Sequence, residues 1–509
     1  MFAKVNSMGI FGMEVFPVKV EADISSGLPR FDIVGLPDSA VSESRDRVRS
    51  AILNVGYDFP VSRITVNLAP ADRRKEGPTY DLAIFVALLE ASEQLRVDSS
   101  QYAFLGELSL DGTVRRVNGV LPMTIGARQS GIKGIFVPEE NANEASVVEG
   151  IEVYPVENVL QVVGHLTGRK MIEPTVPVDT AAENPFDYMP DFADVKGQSE
   201  AKRALEVAAA GGHNTLMIGS PGTGKSMLAK RLPSILPSMT FEESLETTKI
   251  YSVAGALKKD SRLITQRPFR SPHHTVSTVG LAGGGTVPKP GELSLAHNGV
   301  LFLDELPEFS RQTMEIMRQP LEDGVITISR AAGTFSYPCS VMLVCAMNPC
   351  PCGYYGHPTR ECTCRDGAVS KYLAKVSGPL LDRIDIHVEV PPVDFEKLSD
   401  TRKAESSAEI RKRVEAARKI QQKRLSGTSA NCNAQMNSAM TREFCRATDD
   451  AMKLLQAAFD RLGLSARAYD KILRVARTIA DLGGEETIQA EHIAEAIQYR
   501  SLDRKFWVR

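Results

Sequence analysis

The hydrophobic positions of the chain change their spacing on either side of a proline-containing stretch at 171–190. Before that stretch, apolar and polar residues alternate at 63–68 and 134–138, which predicts strands, while the apolar run within 80–94 predicts a buried helix. We therefore expect an α+β domain over residues 1–170. The stretch 171–190 contains several prolines and has only a weak hydrophobic pattern, which indicates a linker.

After the linker, strand-like apolar runs at 215–218, 300–303 and 340–346 each end in a polar or glycine-rich turn and alternate with helical segments. This order predicts a parallel sheet whose functional residues lie at the carboxyl ends of the strands, in a module over 191–395. From there the pattern is purely helical, which predicts a helical domain at 396–509. The fold class is therefore multidomain α/β, and 509 residues agree with three domains at roughly 150 residues each.

Composition removes several classes of protein from consideration. Lys and Arg number 60 against 63 Asp and Glu, a net charge of −3, so any contact with nucleic acid must be local. Apolar runs fall short of the roughly 18 residues of a membrane span, and residues 1–20 lack the basic and apolar blocks of a secretory signal. We expect a cytoplasmic protein without a membrane partner.

A phosphate-binding loop is the clearest chemical motif. It follows the strand predicted at 215–218 and precedes a helix, as in the pattern G-x-x-x-x-G-K-[ST]. Its backbone amides are suited to phosphate oxygens, its lysine to the β- and γ-phosphates of ATP, and its serine hydroxyl to Mg²⁺. The loop consists of Gly219, Ser220, Pro221, Gly222, Thr223, Gly224, Lys225 and Ser226.

Two further strand ends carry the residues that hydrolysis needs. Asp304 and Glu305 follow the buried strand predicted at 300–303; Asp304 is a candidate Mg²⁺ ligand, and Glu305 is a candidate for polarising the attacking water. Asn348 follows the strand at 340–346, where an amide can hydrogen-bond both the γ-phosphate and the water.

Four cysteines form two C-x-C pairs within a short, turn-rich segment. Four thiolates on such a loop can build a tetrahedral zinc site, although C-x-C is tighter than the usual C-x-x-C spacing. Structural zinc is the favoured interpretation, and reduced free thiols or an iron–sulfur cluster are the alternatives. The residues are Cys350, Cys352, Cys362 and Cys364.

Four features of the chain together resemble the AAA+ ATPases of the magnesium-chelatase and replicative-helicase branch. They are the segment 219–226, the Asp304–Glu305 pair, Asn348 and the string GPLLDRID at 378–385. The resemblance implies that Arg383 is a finger completing the site of a neighbouring subunit, with a surface ion pair to Asp382 or Asp385 as the alternative. It also implies that Arg467 is the second sensor arginine, with an ordinary surface arginine as the alternative.

The N-terminal strings at 76–81, 105–114 and 130–138 resemble the proteolytic domain of the Lon family, which uses a Ser–Lys dyad. Thr79 falls at the position of the nucleophile and Leu121 near that of the lysine. A hydroxyl without a base is a poor nucleophile, so we expect a Lon-like scaffold without peptidase activity.

Together the two resemblances cover nearly the whole chain, which is identified as a member of the ComM/YifB family of bacterial proteins. The family implies an ATP- and Mg²⁺-dependent, homo-hexameric motor acting on single-stranded or branched DNA, as in branch migration during natural transformation. The alternatives are a protein-remodelling or proteolytic AAA+ machine, a magnesium-chelatase motor, and a nucleotide-gated scaffold with little turnover.

Contacts with DNA are expected at two loops. A predicted hairpin spans 325–337, with its turn at 331–334, and the resembled ATPases point such a hairpin into the ring pore, which makes Arg330 a candidate. The loop from Arg270 to Lys289 is the second candidate, and the alternative is that both loops are simply solvated. The stretch 401–424, with nine basic and three acidic residues, is more typical of a solvated helix face.

Overall fold

The computed structural model describes residues 1–176, 186, 189–258, 262–285, 288–330, 333–393, 404–462 and 465–507. Most of the expected linker, at 177–185 and 187–188, therefore lies outside the described residues, as do the hairpin positions 331–332. The fold is multidomain α/β, as the sequence predicts.

The strands, in chain order, are β1 (Phe2–Phe11), β2 (Glu14–Ser25), β3 (Arg30–Val34), β4 (Arg63–Ala69), β5 (Tyr102–Phe104), β6 (Glu107–Leu108), β7 (Val114–Arg115), β8 (Gly134–Pro138), β9 (Glu152–Val156), β10 (Thr215–Ile218), β11 (Phe269–Arg270), β12 (Gly283–Gly284), β13 (Lys289–Pro290), β14 (Val300–Leu303), β15 (Val325–Arg330), β16 (Gly333–Pro338), β17 (Met342–Met347) and β18 (Ile386–Glu389). The α-helices are Ser39–Ser42, Ser44–Asn54, Asp81–Ala91, Val120–Gln129, Glu139–Ala145, Val159–Leu166, Ser199–Gly211, Lys225–Arg231, Phe241–Ala254, Thr278–Ala282, Glu292–Leu295, Arg311–Ile316, Arg318–Asp323, Ala368–Leu373, Gly378–Leu381, Ser407–Arg424, Ser438–Phe444, Asp449–Leu462, Ala466–Gly483, Ala490–Gln498 and Ser501–Phe506. Short 3₁₀ turns lie at Pro78–Tyr80, Phe192–Asp194, Leu232–Ile235, Leu306–Glu308 and Asn433–Gln435.

The N-terminal part is a mixed seven-stranded sheet in the order β3-β4-β2-β1-β5-β8-β9. Along β2, buried apolar residues alternate with more exposed ones, so that Val18, Val20 and Ala22 all point into one core. The helix Asp81–Ala91 is buried along almost its whole length, which explains why its sequence is continuously apolar and lacks a polar face.

The central part is a five-stranded parallel sheet in the order β11-β14-β17-β10-β18. The strands β10, β14 and β17 are buried throughout, as parallel strands covered on both faces must be, and their sequences are correspondingly apolar runs. Two antiparallel hairpins, β12–β13 and β15–β16, lie outside this sheet.

The C-terminal helices share one hydrophobic core with the parallel sheet, because apolar residues from both contribute to the same buried cluster. Polar contacts add to it. Thr478 Oγ1 lies 2.8 Å from His213 Nε2, and Lys471 Nζ lies 3.1 Å from Asp385 Oδ1. Since Asp385 is two residues beyond Arg383, the helix Ala466–Gly483 is fixed to the segment that carries the candidate finger.

The N-terminal part also contacts the central part directly. The rings of Phe11, at the β1–β2 turn, and Phe335, on β16, have centroids 4.4 Å apart. Ser252 Oγ donates to Glu144 Oε2 over 2.7 Å, and Arg116 donates to the carbonyl of Leu257 over 2.7 Å. The Lon-like part therefore touches the hairpin β15–β16 and the helix Phe241–Ala254.

Among the described residues, every helix is too short or too polar to cross a membrane.

Candidate functional site

The three chemical motifs meet at one edge of the parallel sheet because β10, β14 and β17 are neighbours with a matched register. Ile218 is opposite Met347, and Leu303 is opposite Cys345, so the three strands end close together. The amide of Gly219 donates to the carbonyl of Met347 over 3.2 Å, which fixes the start of the phosphate loop against the strand that leads to Asn348.

The phosphate loop needs glycine at its two ends. A Cβ on Gly219 would lie 2.3 Å from the carbonyl oxygen of Val390, so no side chain fits there. Gly224, with φ of 89°, caps the helix Lys225–Arg231 in the left-handed region that glycine favours. The loop is thereby held close to the sheet and turns directly into a helix, which suits it to wrap phosphate groups.

Lys225 lies inside this loop. Its Nζ donates to the carbonyls of Gly219 and Ser220 over 2.7 and 2.9 Å and to Oδ1 of Asn348 over 3.2 Å. Burial lowers the pKa of the ammonium to about 8, and the charge of Asp304 opposes that shift only in part. Lys225 and Asn348, which lie 123 positions apart in sequence, are therefore direct partners.

Ser226 and Asp304 form the second contact of the site. The serine hydroxyl donates to Oδ2 of Asp304 over 2.5 Å, while Oδ1 of the same carboxylate accepts the amide of Glu305 over 2.9 Å. The hydroxyl lies on the helix that follows the phosphate loop, and the carboxylate lies just after the end of β14. Both are oxygen donors of the kind that Mg²⁺ prefers, so this donor set fits the expected ion.

Glu305 follows in a left-handed conformation with φ of 53°, which is uncommon for a side chain larger than asparagine. Its carboxylate is 59% exposed and lies 3.5 Å, Oε2 to Nδ1, from His274. The His274 ring packs beside His273, at 4.0 Å between centroids, and edge-on to Phe309. The sequence placed His274 in a candidate DNA loop, whereas the structure places it beside the candidate catalytic carboxylate.

The signal for His274 was present but weak: two histidines lie three and four residues after β11, whose carboxyl end lies at the same edge of the sheet. The pattern did not single them out because β11 has only two residues and no apolar run.

The guanidinium of Arg383 is bound within its own chain. Its guanidinium donates to the carbonyls of Arg318 and Pro379 over 2.9 and 2.6 Å, pairs with Glu322 at 2.6 Å, and leaves 11% of the side chain exposed. The ion pair considered with Asp382 or Asp385 is not formed; Asp385 pairs with Lys471. The guanidinium thus lies against the helix Arg318–Asp323.

Arg467 lies at the second position of the helix Ala466–Gly483 and is exposed. Four residues along the same helix, Lys471 donates to the carbonyl of Ile384 over 3.0 Å and pairs with Asp385. The two candidate arginines, Arg383 and Arg467, thus lie on segments that contact each other within the chain.

The candidate DNA residues separate into two groups. Arg270 is half-buried and bound to Glu292 through two contacts of 2.6 and 2.7 Å, which argues against a role in holding DNA. Lys289 and Arg330 are exposed on neighbouring hairpins. Lys289 is the strand partner of Gly284 in the hairpin β12–β13. Nη2 of Arg330 lies close to the same glycine, 3.2 Å from the position that a Cβ on Gly284 would occupy.

The helix Ser407–Arg424, within the basic stretch, uses most of its arginines for packing. Arg411 donates to the carbonyl of Ser234 over 2.9 Å, and Arg418 donates to that of Ala210 over 3.1 Å. Arg413 pairs with Glu206 at 2.6 Å. Positions 401–403 of the stretch lie outside the described residues. The helix therefore has two sides: Arg411 and Arg418 bind the central part, whereas Lys412, Lys419 and Lys423 are exposed, as expected of a solvated face.

The four cysteines converge after β17. Sγ of Cys350 lies 3.3 Å from that of Cys352 and 3.8 Å from that of Cys362, and the four sulfur atoms, with Cys364, all lie within 4.8 Å of one another. Sulfur atoms around a tetrahedral zinc are about 3.8 Å apart, given Zn–S bonds of about 2.3 Å. The cluster thus has the donor set and the spacing for zinc.

Local donors favour the thiolate form of one cysteine in the cluster. Burial opposes ionisation of Cys352, but amide donation from Tyr354 and Thr363 and the thiol of Cys350 outweigh it and lower its pKa to about 5. Burial raises the pKa of Cys350 to about 12, although that sulfur also accepts the amide of Tyr355 over 3.3 Å. Amide-to-sulfur hydrogen bonds stabilise thiolate, the form that binds metal.

In the N-terminal part, Thr79 and Leu121 are both buried, and Leu121 has no ionisable group. Lys75, which belongs to none of the sequence motifs, is also fully buried, but its ammonium donates to the carbonyls of Arg73, over 2.7 Å, and Pro70. Burial lowers the pKa of Lys75. Because its contacts are with carbonyls of its own loop, Lys75 serves to hold that loop.

Family comparisons agree with this geometry. The family described as "Magnesium chelatase, subunit ChlI" matches residues 191–398, "Subunit ChlI of Mg-chelatase" matches 20–141, and "Magnesium chelatase, subunit ChlI C-terminal" matches 404–500. The N-terminal region is also 32% identical over 162 residues, 30% of this chain and 14% of the relative, to a mitochondrial Lon protease homolog of Neurospora crassa.

Several relatives match over nearly their full lengths. The chain is 44% identical over 504 residues to the uncharacterized protein YifB of Escherichia coli, covering 98% of this chain and 97% of the relative. It is 44% identical over 506 residues to the competence protein ComM of Haemophilus influenzae, covering 99% and 98%. The chain therefore belongs to the YifB/ComM family, with a magnesium-chelatase-like AAA+ module and a Lon-like N-terminal region.

Proposed function

We propose that this protein is a cytoplasmic, ring-forming, Mg²⁺-dependent ATPase that moves on DNA. The observation that carries the ATPase is the meeting of Lys225 with Asn348 and of Ser226 with Asp304, with Glu305 next in the chain. A site built only to bind nucleotide needs the phosphate loop, whereas the adjacent glutamate and asparagine serve hydrolysis.

Each side chain has a separate role in that chemistry. Lys225 neutralises phosphate charge, while Ser226 and Asp304 hold Mg²⁺, which when bound supplies positive charge to the phosphate oxygens. Glu305 accepts hydrogen bonding from the attacking water and orients it, and Asn348 fixes the water and the phosphate relative to each other. His274, 3.5 Å from Glu305, limits the directions in which the carboxylate can point.

The ring is proposed from Arg383. In its own subunit the guanidinium of this arginine is bound to Glu322 and to the carbonyls of Arg318 and Pro379, none of which belongs to the phosphate loop. Its proposed partner is the nucleotide of a neighbouring subunit, as the family resemblance implies, and a closed hexamer provides six such interfaces. Reaching that partner requires the ion pair with Glu322 to open.

DNA binding is proposed for the surface made by Lys289 and Arg330 on hairpins β12–β13 and β15–β16. Tyr337 supports the arrangement, because its hydroxyl donates to the carbonyl of Pro288 over 2.7 Å and ties the two hairpins together. Repeated around a ring, the two cations make a local positive band although the chain carries a net charge of −3. The full-length relative from Haemophilus influenzae is named a competence protein, which agrees with a role on DNA.

Zinc is the proposed occupant of the cysteine cluster. Four sulfur donors with tetrahedral spacing select a thiophilic ion over Mg²⁺ or Ca²⁺, which prefer oxygen. Purified protein should therefore carry close to one zinc per chain by elemental mass spectrometry.

The test of the function is the ATPase rate at low salt without DNA and with single-stranded, duplex and branched DNA. The proposal expects stimulation by at least one DNA form and its loss in Arg330→Ala, with the basal rate kept. Lys419→Ala, an exposed cation on the helix Ser407–Arg424, is the matched control and should behave as the wild type. Rings that hydrolyse ATP but respond to no DNA form would instead favour a protein-remodelling machine.

A further inference from the structure

The cysteine loop, defined here as residues 349–367, lies against the phosphate loop. A Cβ built on Gly353 would approach Cδ and Cγ of Pro221 to 2.4 and 2.7 Å, so the proline ring lies directly on the Gly353 backbone. Gly353 has a φ of 85°, and its amide donates to the carbonyl of Cys350 over 3.0 Å. The position of Gly353 against the phosphate loop is therefore fixed by a turn that begins at Cys350, a cysteine of the cluster.

The cysteine loop also begins immediately after Asn348. Asn348, which accepts from Lys225, is two residues before Cys350, and Cys350 is fully buried in the same apolar cluster as Ile218 and Met347 at the ends of β10 and β17. On its other side, Tyr355 packs towards the ring of Phe506, with centroids 6.4 Å apart. A small cavity of about 40 Å³ separates Gly219 and Ser220 from this part of the loop.

Backbone-to-backbone hydrogen bonds within the loop join residues three positions apart, such as Gly353 to Cys350 over 3.0 Å and His357 to Tyr354 over 3.1 Å. Such turns fix local direction but do not join the two ends of the loop. The sulfur cluster does, because it unites Cys350 and Cys352 with Cys362, ten to twelve residues further on. A metal on these sulfurs closes the loop and removes most of its alternative conformations.

We propose that a thiophilic metal on the four cysteines sets the shape of the nucleotide site: it holds Gly353 against Pro221 and Asn348 beside Lys225, so that affinity for ATP depends on metal occupancy. The inference deepens the proposed function and rests on the phosphate loop being an ATP site. It assigns the cysteine loop a positioning role in nucleotide binding, in addition to a role in folding.

The first test compares Cys364→Ser with Cys432→Ser, which alters a buried cysteine outside the cluster. Zinc content is measured by elemental mass spectrometry and the Kd for ATP by calorimetry, with the thermal unfolding midpoint as a check on folding. Cys364→Ser should lose its zinc and bind ATP at least about tenfold more weakly, as expected when a phosphate-binding group is displaced. Cys432→Ser should keep both properties.

The second test leaves all four cysteines in place. Gly353→Ala forces a Cβ onto Pro221, while Gly367→Ala introduces the same residue at a similar φ of 77°, with open space around it. Both variants should retain zinc, and only Gly353→Ala should weaken ATP binding. This pair remains informative if Cys364→Ser fails to fold.

The outcomes separate the inference from the function it rests on. Wild-type protein that does not bind ATP would overturn the proposed nucleotide site, and with it the inference. Wild-type protein that binds ATP tightly without bound metal, or a zinc-free Cys364→Ser with unchanged Kd, would overturn the inference alone. Equal ATP affinity in Gly353→Ala and Gly367→Ala would do the same.

Discussion

Nδ1 of His274 lies 3.5 Å from Oε2 of Glu305, so the carboxylate expected to orient the attacking water is itself oriented by a residue that follows a different strand. Replacing His274 by alanine leaves the phosphate loop untouched but frees the Glu305 side chain, which is already 59% exposed. We expect kcat for ATP to fall about tenfold with KM unchanged, since the change affects orientation of the reacting group and not binding.

His274→Gln retains a hydrogen-bond donor and should recover part of the rate. A rise in KM with kcat kept would mean that His274 contributes to nucleotide binding, contrary to the role assigned to it here.

Variants of Glu305 and Lys225 should separate the rate of ATP hydrolysis from the affinity for ATP. Glu305→Gln keeps the shape of the side chain but cannot act as a base, so turnover should fall by roughly 10²- to 10⁴-fold while ATP still binds. Lys225→Ala should weaken binding itself, because it removes the cation from the loop. Steady-state rates and equilibrium binding of ATP on both variants check this, and a Glu305→Gln enzyme with wild-type turnover would exclude the assigned role.

ATP affinity should decline above the pKa of Lys225. Burial lowers that pKa to about 8, so the ammonium is charged at pH 7 and neutral at pH 9.5, and phosphate binding favours the charged form. The Kd should be nearly constant below pH 8 and should rise by up to about tenfold per pH unit above it. Binding measured between pH 6.5 and 9.5, with far-UV circular dichroism to confirm folding, tests this; a constant Kd across that range would contradict it.

Arg383 should act only between subunits. Arg383→Ala is expected to bind ATP and hydrolyse it poorly, and mixing it with Lys225→Ala should restore part of the rate, because some interfaces then combine an intact loop with an intact arginine. Glu322→Gln removes the charge that holds Arg383 in its own subunit and should not impair ATP binding. A mixture no more active than its two components would remove the finger assignment.

The sequence predicted the fold class because its strands and helices carry strong local patterns. It also predicted which segments would meet, since the carboxyl ends of neighbouring parallel strands share one edge; Lys225 and Asn348 are brought together in this way across 123 positions. The assigned roles of these residues remain predictions that the variants above test.

Other features depend on packing that no local pattern encodes. Arg270 looked available for DNA, yet it is bound to Glu292, which lies on a helix 22 residues later. The basic character of the stretch 401–424 is visible in the sequence, but the sequence does not show that Arg411 and Arg418 donate to backbone carbonyls of the central part. Likewise, the contact of Gly353 with Pro221 arises only when the cysteine loop folds back over the phosphate loop.

The central claim, that ATP hydrolysis drives movement on DNA, is tested most directly by strand displacement from a forked DNA at low salt. We predict that wild-type protein with ATP and Mg²⁺ separates the strands, that Glu305→Gln binds the fork without separating it, and that Arg330→Ala separates it poorly at an unchanged basal ATPase rate. Wild-type protein that hydrolyses ATP as an assembled ring, yet displaces no strand from forked, duplex or branched DNA, would contradict the account.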